Sequence, residues 1–230
     1  MSLKILWVLP YLPWPTSSGG KTRQYHLLRT LAAAGHRITL LVQSKTPMDE
    51  DSRQALEPFL ERLIVLPRRP LRSPKTLTAL VVSPLPMLAS INGFAPALTR
   101  CFADLLEESW DIVQIEHSYS FQPFEKPLRQ AGQPFILTEH NVESALGGAT
   151  YDRFPAWMKP LILFDQWRYR RWEKRVMRQA ERVVAVTAAD AVTLGRITAG
   201  PVPVVVNGVD CARYSAVAPK YFWEVLLLLL

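Results

Sequence analysis

The sequence has little cysteine, and its cysteines are not arranged in a way that would organise a fold. Its two cysteines, Cys101 and Cys211, lie far apart in a chain of 230 residues, and no CxxC spacing occurs. This excludes a cysteine-based metal knuckle and a disulfide scaffold. Such sparse cysteine is typical of a protein in a reducing cytosol.

Long apolar runs and an excess of acidic residues are also missing before the last eleven residues. Residues 5–9 are too short for the apolar core of a signal peptide, and no stretch approaches the roughly 20 apolar residues of a membrane span. Basic residues outnumber acidic ones by 27 to 20, giving a net charge of +7. This charge suits nucleic acid, an anionic membrane or phosphorylated substrates. No nucleic-acid-binding motif occurs, so we expect no nucleic-acid partner.

The chain begins with the pattern of a βαβ unit. Two apolar runs of strand length, residues 4–9 and 38–42, flank residues 22–34, whose apolar side chains recur at helical spacing. Gly35 then occupies the position of a glycine that ends a helix. Strand, helix and strand within about forty residues predict a right-handed crossover in a parallel sheet covered by helices.

Gly19 and Gly20 lie between the first predicted strand and the predicted helix. Glycines at such a place let the backbone approach a ligand closely, and a helix N-terminus favours an anion such as a phosphate. Lys21 and Arg23 add positive charge there. The alternative is a flexible turn after a proline-rich loop. The dinucleotide motif GxGxxG is absent, which disfavours a dehydrogenase.

The remainder of the chain alternates between strand-like and helix-like segments. Further strands are predicted at residues 63–66, 112–115, 134–138, 182–186 and 202–206. Helices are predicted at residues 53–61, 76–88, 96–108, 124–131 and 156–180, and a last helix follows Thr187 as its N-cap. This alternation predicts an α/β, Rossmann-like, doubly wound fold, with a mostly parallel sheet flanked by helices.

Polar and ionisable residues follow two of the predicted strands. His117 comes after the strand at 112–115, and Glu139, His140 and Asn141 come after the strand at 134–138. Ligands of open parallel sheets bind outside the carboxyl ends of the strands. His117 is either a structural residue or part of a site lining. The group at 139–141 is hard to explain by packing, so His140 is predicted to be functional.

The predicted helix at 156–180 interleaves aromatic and basic residues. The candidate membrane-facing side chains are Arg168, Arg170, Arg171 and Lys174. Such a mixture is what an interfacial segment needs on an anionic bilayer. The alternative is a helix that packs its aromatic stripe, including Tyr169 and Trp172, on the sheet, with its arginines solvated or paired.

Taken in order, these segments resemble the N-terminal, acceptor-side half of a GT-B fold glycosyltransferase of the large retaining family 4. The matching pieces are residues 10–20, QYHLLRTL at 24–31, AGH at 34–36, DIVQ at 111–114 with His117, TEHN at 138–141, the Trp172-Glu173 helix before AERVVAVT at 180–187, and VNGVD at 206–210. Residues 1–219 are predicted as this one domain. Residues 220–230, with five consecutive leucines, are interpreted as a non-native or truncated tail. The family's C-terminal, donor-binding domain is expected to be absent.

The resemblance implies roles for individual residues. Gly19 and Gly20 would face the diphosphate of the donor, and His140 would line the reaction centre near the transferred sugar. Acceptor-side positions are implied for Arg23, Tyr25, His117, Glu139 and Asn141. No metal is required, and no cofactor is implied besides the nucleotide-diphosphate sugar, which is the donor substrate.

The implied activity is nucleotide-sugar-dependent transfer of a hexose-type sugar, with retention, to a glycan or lipid-linked acceptor. Such a reaction belongs to polysaccharide or lipopolysaccharide synthesis, in the cytoplasm or at the inner face of the membrane. The chain without its donor-binding domain is expected to be inactive. The alternatives are a stand-alone module that binds a glycan or lipid acceptor, and a GT-B relative with other chemistry, such as a sugar epimerase or phosphorylase.

Overall fold

Six parallel strands form one sheet, which confirms the predicted doubly wound, Rossmann-like class. The computed structural model describes residues 1–45, 47–68, 83–142, 144 and 155–208. The strands are β1 (Lys4–Leu9), β2 (Arg37–Ser44), β3 (Arg62–Pro67), β4 (Ile112–Glu116), β5 (Ile136–Glu139) and β6 (Arg182–Ala185). Their order is β3-β2-β1-β4-β5-β6, and every neighbouring pair is parallel.

Helices connect the strands and cover the sheet. The helices within the described residues are α1 (Gly19–Ala33), α2 (Glu50–Leu56), α3 (Met87–Gly93), α4 (Pro96–Leu105), α5 (Gln122–Ala131), α6 (Lys159–Met177) and α7 (Ala188–Thr198). Short 3-10 turns occupy Glu57–Phe59, Ser118–Ser120 and Ala156–Met158. Within the described ranges, no helix is both long and apolar enough to cross a bilayer.

Side chains of β1 alternate between two apolar cores, one on each face of the sheet. Leu6 and Val8 belong to the core that includes Phe102 of α4 and Phe124 of α5. Ile5, Trp7 and Leu9 belong to the other core, under α1 and α2, with Leu28 of α1 and Leu56 of α2 fully buried there. Because both faces are covered, β1 is a continuous apolar run, as expected for a central parallel strand.

The strand order places a ligand crevice between β1 and β4. The chain moves outward from β1 to β3 on one side, then returns to β4 and moves outward to β6 on the other. Such a reversal point opens a crevice outside the carboxyl ends of the two central strands. The residues that follow β1, β4 and β5 are therefore brought to the same edge of the sheet.

The start of α1 differs from the prediction. Gly19 and Gly20 are the first two residues of the helix and not a loop before it, because the Ser18 side chain caps the helix and accepts a hydrogen bond from the Lys21 backbone N–H at 3.4 Å. At the other end Gly35 has φ +87°, the left-handed conformation predicted for it.

The boundaries of two other helices also differ from the prediction. The helix predicted at 53–61 begins at Glu50, since Asp49 caps it by accepting a hydrogen bond from the Ser52 backbone N–H at 2.8 Å. The helix predicted at 96–108 ends at Leu105, whose carbonyl oxygen accepts a hydrogen bond from Trp110 Nε1 at 2.6 Å. Most of the helix predicted at 76–88 falls outside the described residues.

The strand predicted at 202–206 is wrong. Only one isolated bridge forms, between Val204 and Ala185, with hydrogen bonds at 2.9 Å from the Ala185 N–H to the Pro203 carbonyl and from the Val205 N–H to the Ala185 carbonyl. Pro203 and Pro201 have no N–H to donate, so the ladder cannot extend from this bridge toward residue 201. The tail at 220–230 lies outside the described residues.

Candidate functional site

A cavity of about 360 Å³ opens at the carboxyl edge of the sheet, beside the N-terminus of α1. Its lining consists of Tyr11, Ser18, Gly19, Gly20, Lys21, His117, His140, Asn141, Val186 and Asn207. The five predicted site residues brought together here are Gly19, Gly20, His117, His140 and Asn141. The cavity thus combines helix N–H groups with two imidazole rings.

The His140 ring is hydrogen-bonded to Glu116, the last residue of β4. The His140 Nε2 lies 2.7 Å from Glu116 Oε2, and the side chains are 10% and 2% exposed respectively. A buried pair at this distance is a short, charge-assisted hydrogen bond. It fixes the imidazole at the end of β5.

Three further N–H groups point at the same carboxylate. Glu116 accepts from Trp7 Nε1 at 3.1 Å, from Gln114 Nε2 at 3.0 Å and from Gln24 Nε2 at 3.4 Å. Burial pushes the pKa of Glu116 upward, but the hydrogen bond and charge of His140, with His117 and Gln114, outweigh it and lower the pKa below its ordinary value. Glu116 is therefore a carboxylate at neutral pH.

An ionised carboxylate only accepts hydrogen bonds, which decides the tautomer of His140. The ring proton of neutral His140 must sit on Nε2, between the two side chains. Nδ1 then carries a lone pair and lies on the side of α1, where a Cβ built on Gly20 would be 3.6 Å away. His140 accordingly presents a hydrogen-bond acceptor to the cavity.

His117 lies against His140 in a strained backbone conformation. Its φ is +65°, uncommon for a residue with a side chain, and its ring centroid is 4.4 Å from that of His140. Its Nε2 lies 3.3 Å from the Tyr11 hydroxyl, whereas Nδ1 is buried with no hydrogen-bond partner among the described residues. Burial, followed by the charge of His140, lowers the pKa of His117 to about 3, although Glu116 opposes this shift.

The low pKa of His117 predicts how the free energy of unfolding depends on pH. Unfolded His117 takes up its proton near pH 6.5, whereas the folded residue does so near pH 3. Between these values the unfolded chain binds more protons, so stability is full above about pH 6.5 and falls as the pH is lowered. We expect His117 to account for a loss of roughly 2 kcal/mol between about pH 7 and pH 5.

Urea unfolding at both pH values checks this prediction, with the variant His117→Asn as the comparison. Glu116, His140, Tyr11 and Tyr119 face His117 and remain in both proteins. The variant should therefore lose less stability on acidification than the wild type. Equal losses in the two proteins would contradict a buried neutral His117.

Tyr11 closes the cavity on the side of β1. Burial and the charge of Glu116 raise the pKa of Tyr11 to about 12, with a hydrogen bond to Gln24 opposing the shift. The phenol thus keeps its proton. Its hydroxyl would be 3.0 Å from a Cβ on Gly20, so the absence of a side chain at Gly20 leaves room for both Tyr11 and His140.

Three of the predicted acceptor-side residues do not line the cavity. Arg23 is buried and donates to the Val206 carbonyl at 2.9 Å and to Asn207 Oδ1 at 3.4 Å, which ties α1 to the segment holding Asn207.

Tyr25 packs its ring on Trp14 and Phe59, with centroid distances of 5.1 and 5.5 Å. Glu139 is fully buried and accepts from the Ser118 backbone N–H at 2.8 Å, which holds the turn after β4. These two residues act on the surroundings of the cavity rather than inside it.

Glu116, Gln24 and Tyr11 were not predicted as site residues. Glu116 had a signal, since it is a carboxylate at the end of the apolar run of β4 and directly before His117. The sequence gives no sign of a site role for Gln24, because that role depends on how α1 crosses the ends of β1 and β4. In the part of the chain that the structure describes, no three His, Cys, Asp or Glu side chains are grouped as a metal site would need.

Helix α6 packs as the packing alternative predicts, and the membrane-facing role stays a prediction. Tyr169, Trp172 and Val176 are buried, as in the packing alternative. Arg168, one of the membrane-facing candidates, is 14% exposed and is bound to Asp165 Oδ1 at 2.5 Å and to the Ser83 carbonyl at 3.0 Å. The other candidates, Arg170, Arg171 and Lys174, are exposed.

Comparisons with known proteins agree with this architecture. The family model described as "Glycosyl transferase 4-like domain" matches residues 18–209. Comparison of the sequence with curated proteins gives no match.

Two solved structures share the fold. Sucrose-phosphate synthase from Thermosynechococcus elongatus has a TM-score of 0.63 at 17% identity, over 96% of this chain and 52% of that one. HepE (Alr3699) from Anabaena, in complex with UDP and glucose, has a TM-score of 0.56 at 16% identity, over 99% of this chain and 50% of that one. The chain therefore spans about half the length of the structures it resembles.

Proposed function

We propose that this chain, which belongs to the glycosyl transferase 4-like domain family, forms the acceptor-side half of a nucleotide-sugar-dependent glycosyltransferase. The match to this family and the structural likeness to half of a GT-B fold both agree with the family and the fold predicted from the sequence. The proposed reaction transfers a hexose-type sugar, with retention, to a glycan or lipid-linked acceptor. The UDP and glucose bound in HepE support a nucleotide-sugar donor.

The observation that carries this proposal is the position of His140. Glu116 holds its Nε2–H, and its Nδ1 faces a cavity that also contains the first helical residues of α1. A hydroxyl of the transferred sugar can donate to Nδ1. An orienting contact of this kind lowers the barrier because the reacting atoms are already aligned when the substrate is bound.

The N-terminus of α1 is the proposed place for the donor's diphosphate. The first backbone N–H groups of a helix have no partner within the helix, and its dipole favours negative charge. Gly19 and Gly20 supply two of these groups without side chains in the way, and Lys21 lines the same cavity. Together they would stabilise the charge that develops on the leaving diphosphate.

Retention is proposed to proceed by attack on the face that the leaving group departs from. Among the described lining residues there is no carboxylate to act as a nucleophile, since Glu116 lies beneath His140 and Glu139 holds the turn after β4. The acceptor oxygen would form its bond to the anomeric carbon as the bond to the phosphate oxygen breaks. The acceptor proton would pass to that phosphate oxygen.

Most donor contacts are proposed to come from a second Rossmann-like half, so the chain alone is expected not to transfer sugar. The alternative is a stand-alone module that binds the acceptor without catalysis. A transfer assay followed by mass spectrometry, with UDP-, GDP- and ADP-hexoses on glycan and polyprenyl-phosphate acceptors, separates the two. Acceptor binding without transfer, even after a donor-binding half is supplied, would favour the module.

A substitution at Gly20 tests whether the transferred sugar binds in the cavity beside His140. In Gly20→Ala the new Cβ would sit 3.6 Å from His140 Nδ1 and 3.0 Å from the Tyr11 hydroxyl, in space that the sugar would need. We expect kcat/KM for transfer to fall by about tenfold or more, because small misplacements at a reacting centre are costly. Gly200→Ala is the control, since a Cβ there meets nothing within 4 Å. Equal activity of the two variants would contradict the assignment.

A further inference from the structure

The first half of α6 and the turn before it expose large apolar side chains. The exposed side chains are Trp157 (72%), Leu161 (60%), Leu163 (64%), Phe164 (54%) and Trp167 (50%). Leu163, Phe164 and Trp167 lie on one side of α6. The other side is buried against the protein in the second half of the helix, through Tyr169, Trp172 and Val176. A packed helix therefore presents a second apolar face to solvent, which needs an explanation because exposed apolar clusters mark interaction sites.

The same outward face becomes basic in the second half of the helix. Arg170 and Lys174 follow Leu163 and Trp167 at helical spacing, and the Arg171 guanidinium lies 4.9 Å from the centre of the Trp167 ring. Arg170, Arg171 and Lys174 have no acidic partner among the described residues. Arg175, by contrast, is paired with Glu125 at 2.5 Å. Three cations thus remain available to an anionic partner.

A groove of about 640 Å³ lies along one flank of α6, between the helix and the segment at 83–86. Phe164 and Trp167 line it on the apolar side, and Arg171 lies at the same wall. Trp172 also lines the groove and donates through Nε1 to the Ser118 carbonyl at 2.9 Å, directly after His117. The groove is therefore linked by one side chain to the wall of the cavity that holds His140.

We propose that this face of α6 is a docking surface for an anionic lipid bilayer. The apolar side chains from Trp157 to Trp167 enter the boundary between headgroups and acyl chains, and Arg170, Arg171 and Lys174 contact lipid phosphates. Tryptophan is favoured at that depth because its ring is apolar and its N–H is polar. The surface holds the cavity next to the membrane, where a lipid-linked acceptor would lie.

Charge complementarity selects the bilayer as the occupant. Leu163, Phe164 and Trp167 adjoin Arg170, Arg171 and Lys174 on the same side of α6. Exposed aromatic and aliphatic side chains next to basic ones are the combination that an interfacial helix presents to an anionic bilayer. The net charge of +7 adds long-range attraction to an anionic surface. This proposal does not depend on the proposed reaction, because binding to vesicles requires neither donor nor acceptor.

Co-sedimentation of the chain with vesicles tests the proposal. We expect binding to phosphatidylcholine vesicles that contain about one-third phosphatidylglycerol, and much weaker binding to phosphatidylcholine alone. Each cation near an anionic surface contributes about fivefold, so the triple variant Arg170→Glu, Arg171→Glu, Lys174→Glu should lose on the order of 100-fold in partitioning. The apolar variant Phe164→Ser, Trp167→Ser should lose at least about tenfold.

A matched variant controls for net charge. Arg100→Glu, Arg129→Glu and Arg196→Glu change the charge by the same amount on three other helices, at residues that are also exposed. This variant should keep most of the binding, and circular dichroism verifies that every variant is folded. Two results would overturn the proposal: a wild-type chain that stays in the supernatant with anionic vesicles, and a control variant that loses as much binding as the α6 variant.

Discussion

Replacing His140 with alanine is expected to lower kcat for sugar transfer by about a thousandfold while leaving the fold intact. The magnitude follows from the loss of a positioned polar group at the reacting centre, which typically contributes between about a hundredfold and ten-thousandfold. The His140 side chain is 10% exposed and lies at the cavity wall, so its removal leaves no large void in the apolar core. Transfer is measured in the protein that carries this domain together with its donor-binding half.

His26→Ala is the matched control for this experiment. His26 lies on α1 with its ring edge-on to Tyr25, at a centroid distance of 5.3 Å, and it does not line the cavity. Its replacement should change kcat by less than about twofold. Near-normal transfer by His140→Ala, with product of the same anomeric configuration, would remove His140 from the reaction centre.

Replacing Glu116 with leucine is expected to have the largest effect on stability. Trp7 and His140 would each lose the acceptor for an N–H group, and Gln114 would keep only its bond to Thr138 Oγ1. An unsatisfied buried donor costs about 1–3 kcal/mol, so we expect the free energy of unfolding to fall by about 4 kcal/mol. This is a large share of the about 5–15 kcal/mol that stabilises a typical domain.

Glu116→Gln separates the structural from the positioning role of this residue. The glutamine keeps one oxygen acceptor but turns an NH₂ group toward one of the former donors, so stability should fall by only about 1–2 kcal/mol. Transfer should still fall by about 10–100-fold, as is typical when the partner that orients a functional histidine is changed. Urea unfolding and kcat are measured on both variants. A Glu116→Gln protein with normal kcat would show that the carboxylate only stabilises the fold.

The strands could be predicted from the sequence because a sheet covered on both faces needs continuous apolar runs. The run from Lys4 to Leu9 is β1, and its side chains from Ile5 to Leu9 enter one or the other of the two cores. The run at 202–206 is also apolar, but it contains Pro203 and follows Pro201, which lack the backbone N–H groups that a parallel ladder needs. Proline within an apolar run therefore argues against a regular internal strand.

The site was predictable only in its outline. A parallel sheet brings all carboxyl ends to one edge, so His117 and His140 could be expected to meet there. Which side chain orients His140 depends on β4 lying directly between β1 and β5, because that order places Trp7, Glu116 and His140 in one hydrogen-bonded row. No local pattern encodes the order of strands, so the sequence marks Glu116 as a carboxylate at a strand end but does not identify it as the partner of His140.

The sequence also could not predict which group the long side chain of Arg23 binds. Arg23 has the charge and sequence position of a ligand-binding residue, yet it is buried and donates to the Val206 carbonyl. Burial lowers the pKa of its guanidinium, although Glu116 opposes this shift. Its partner is 183 residues away in sequence. An arginine at such a site indicates a nearby acceptor, but only the tertiary structure shows that the acceptor is a backbone carbonyl.

The tautomer of His140 tests the central claim most directly, namely that Glu116 turns the Nδ1 of this ring toward the cavity. Long-range proton–nitrogen NMR of the imidazole, on the ¹⁵N-labelled chain at a pH where the ring is neutral, distinguishes the two forms. We predict a protonated Nε2 and an unprotonated Nδ1 for His140, with the signals displaced in Glu116→Gln. A protonated Nδ1 in the wild-type chain, or signals unchanged by the substitution, would contradict the account.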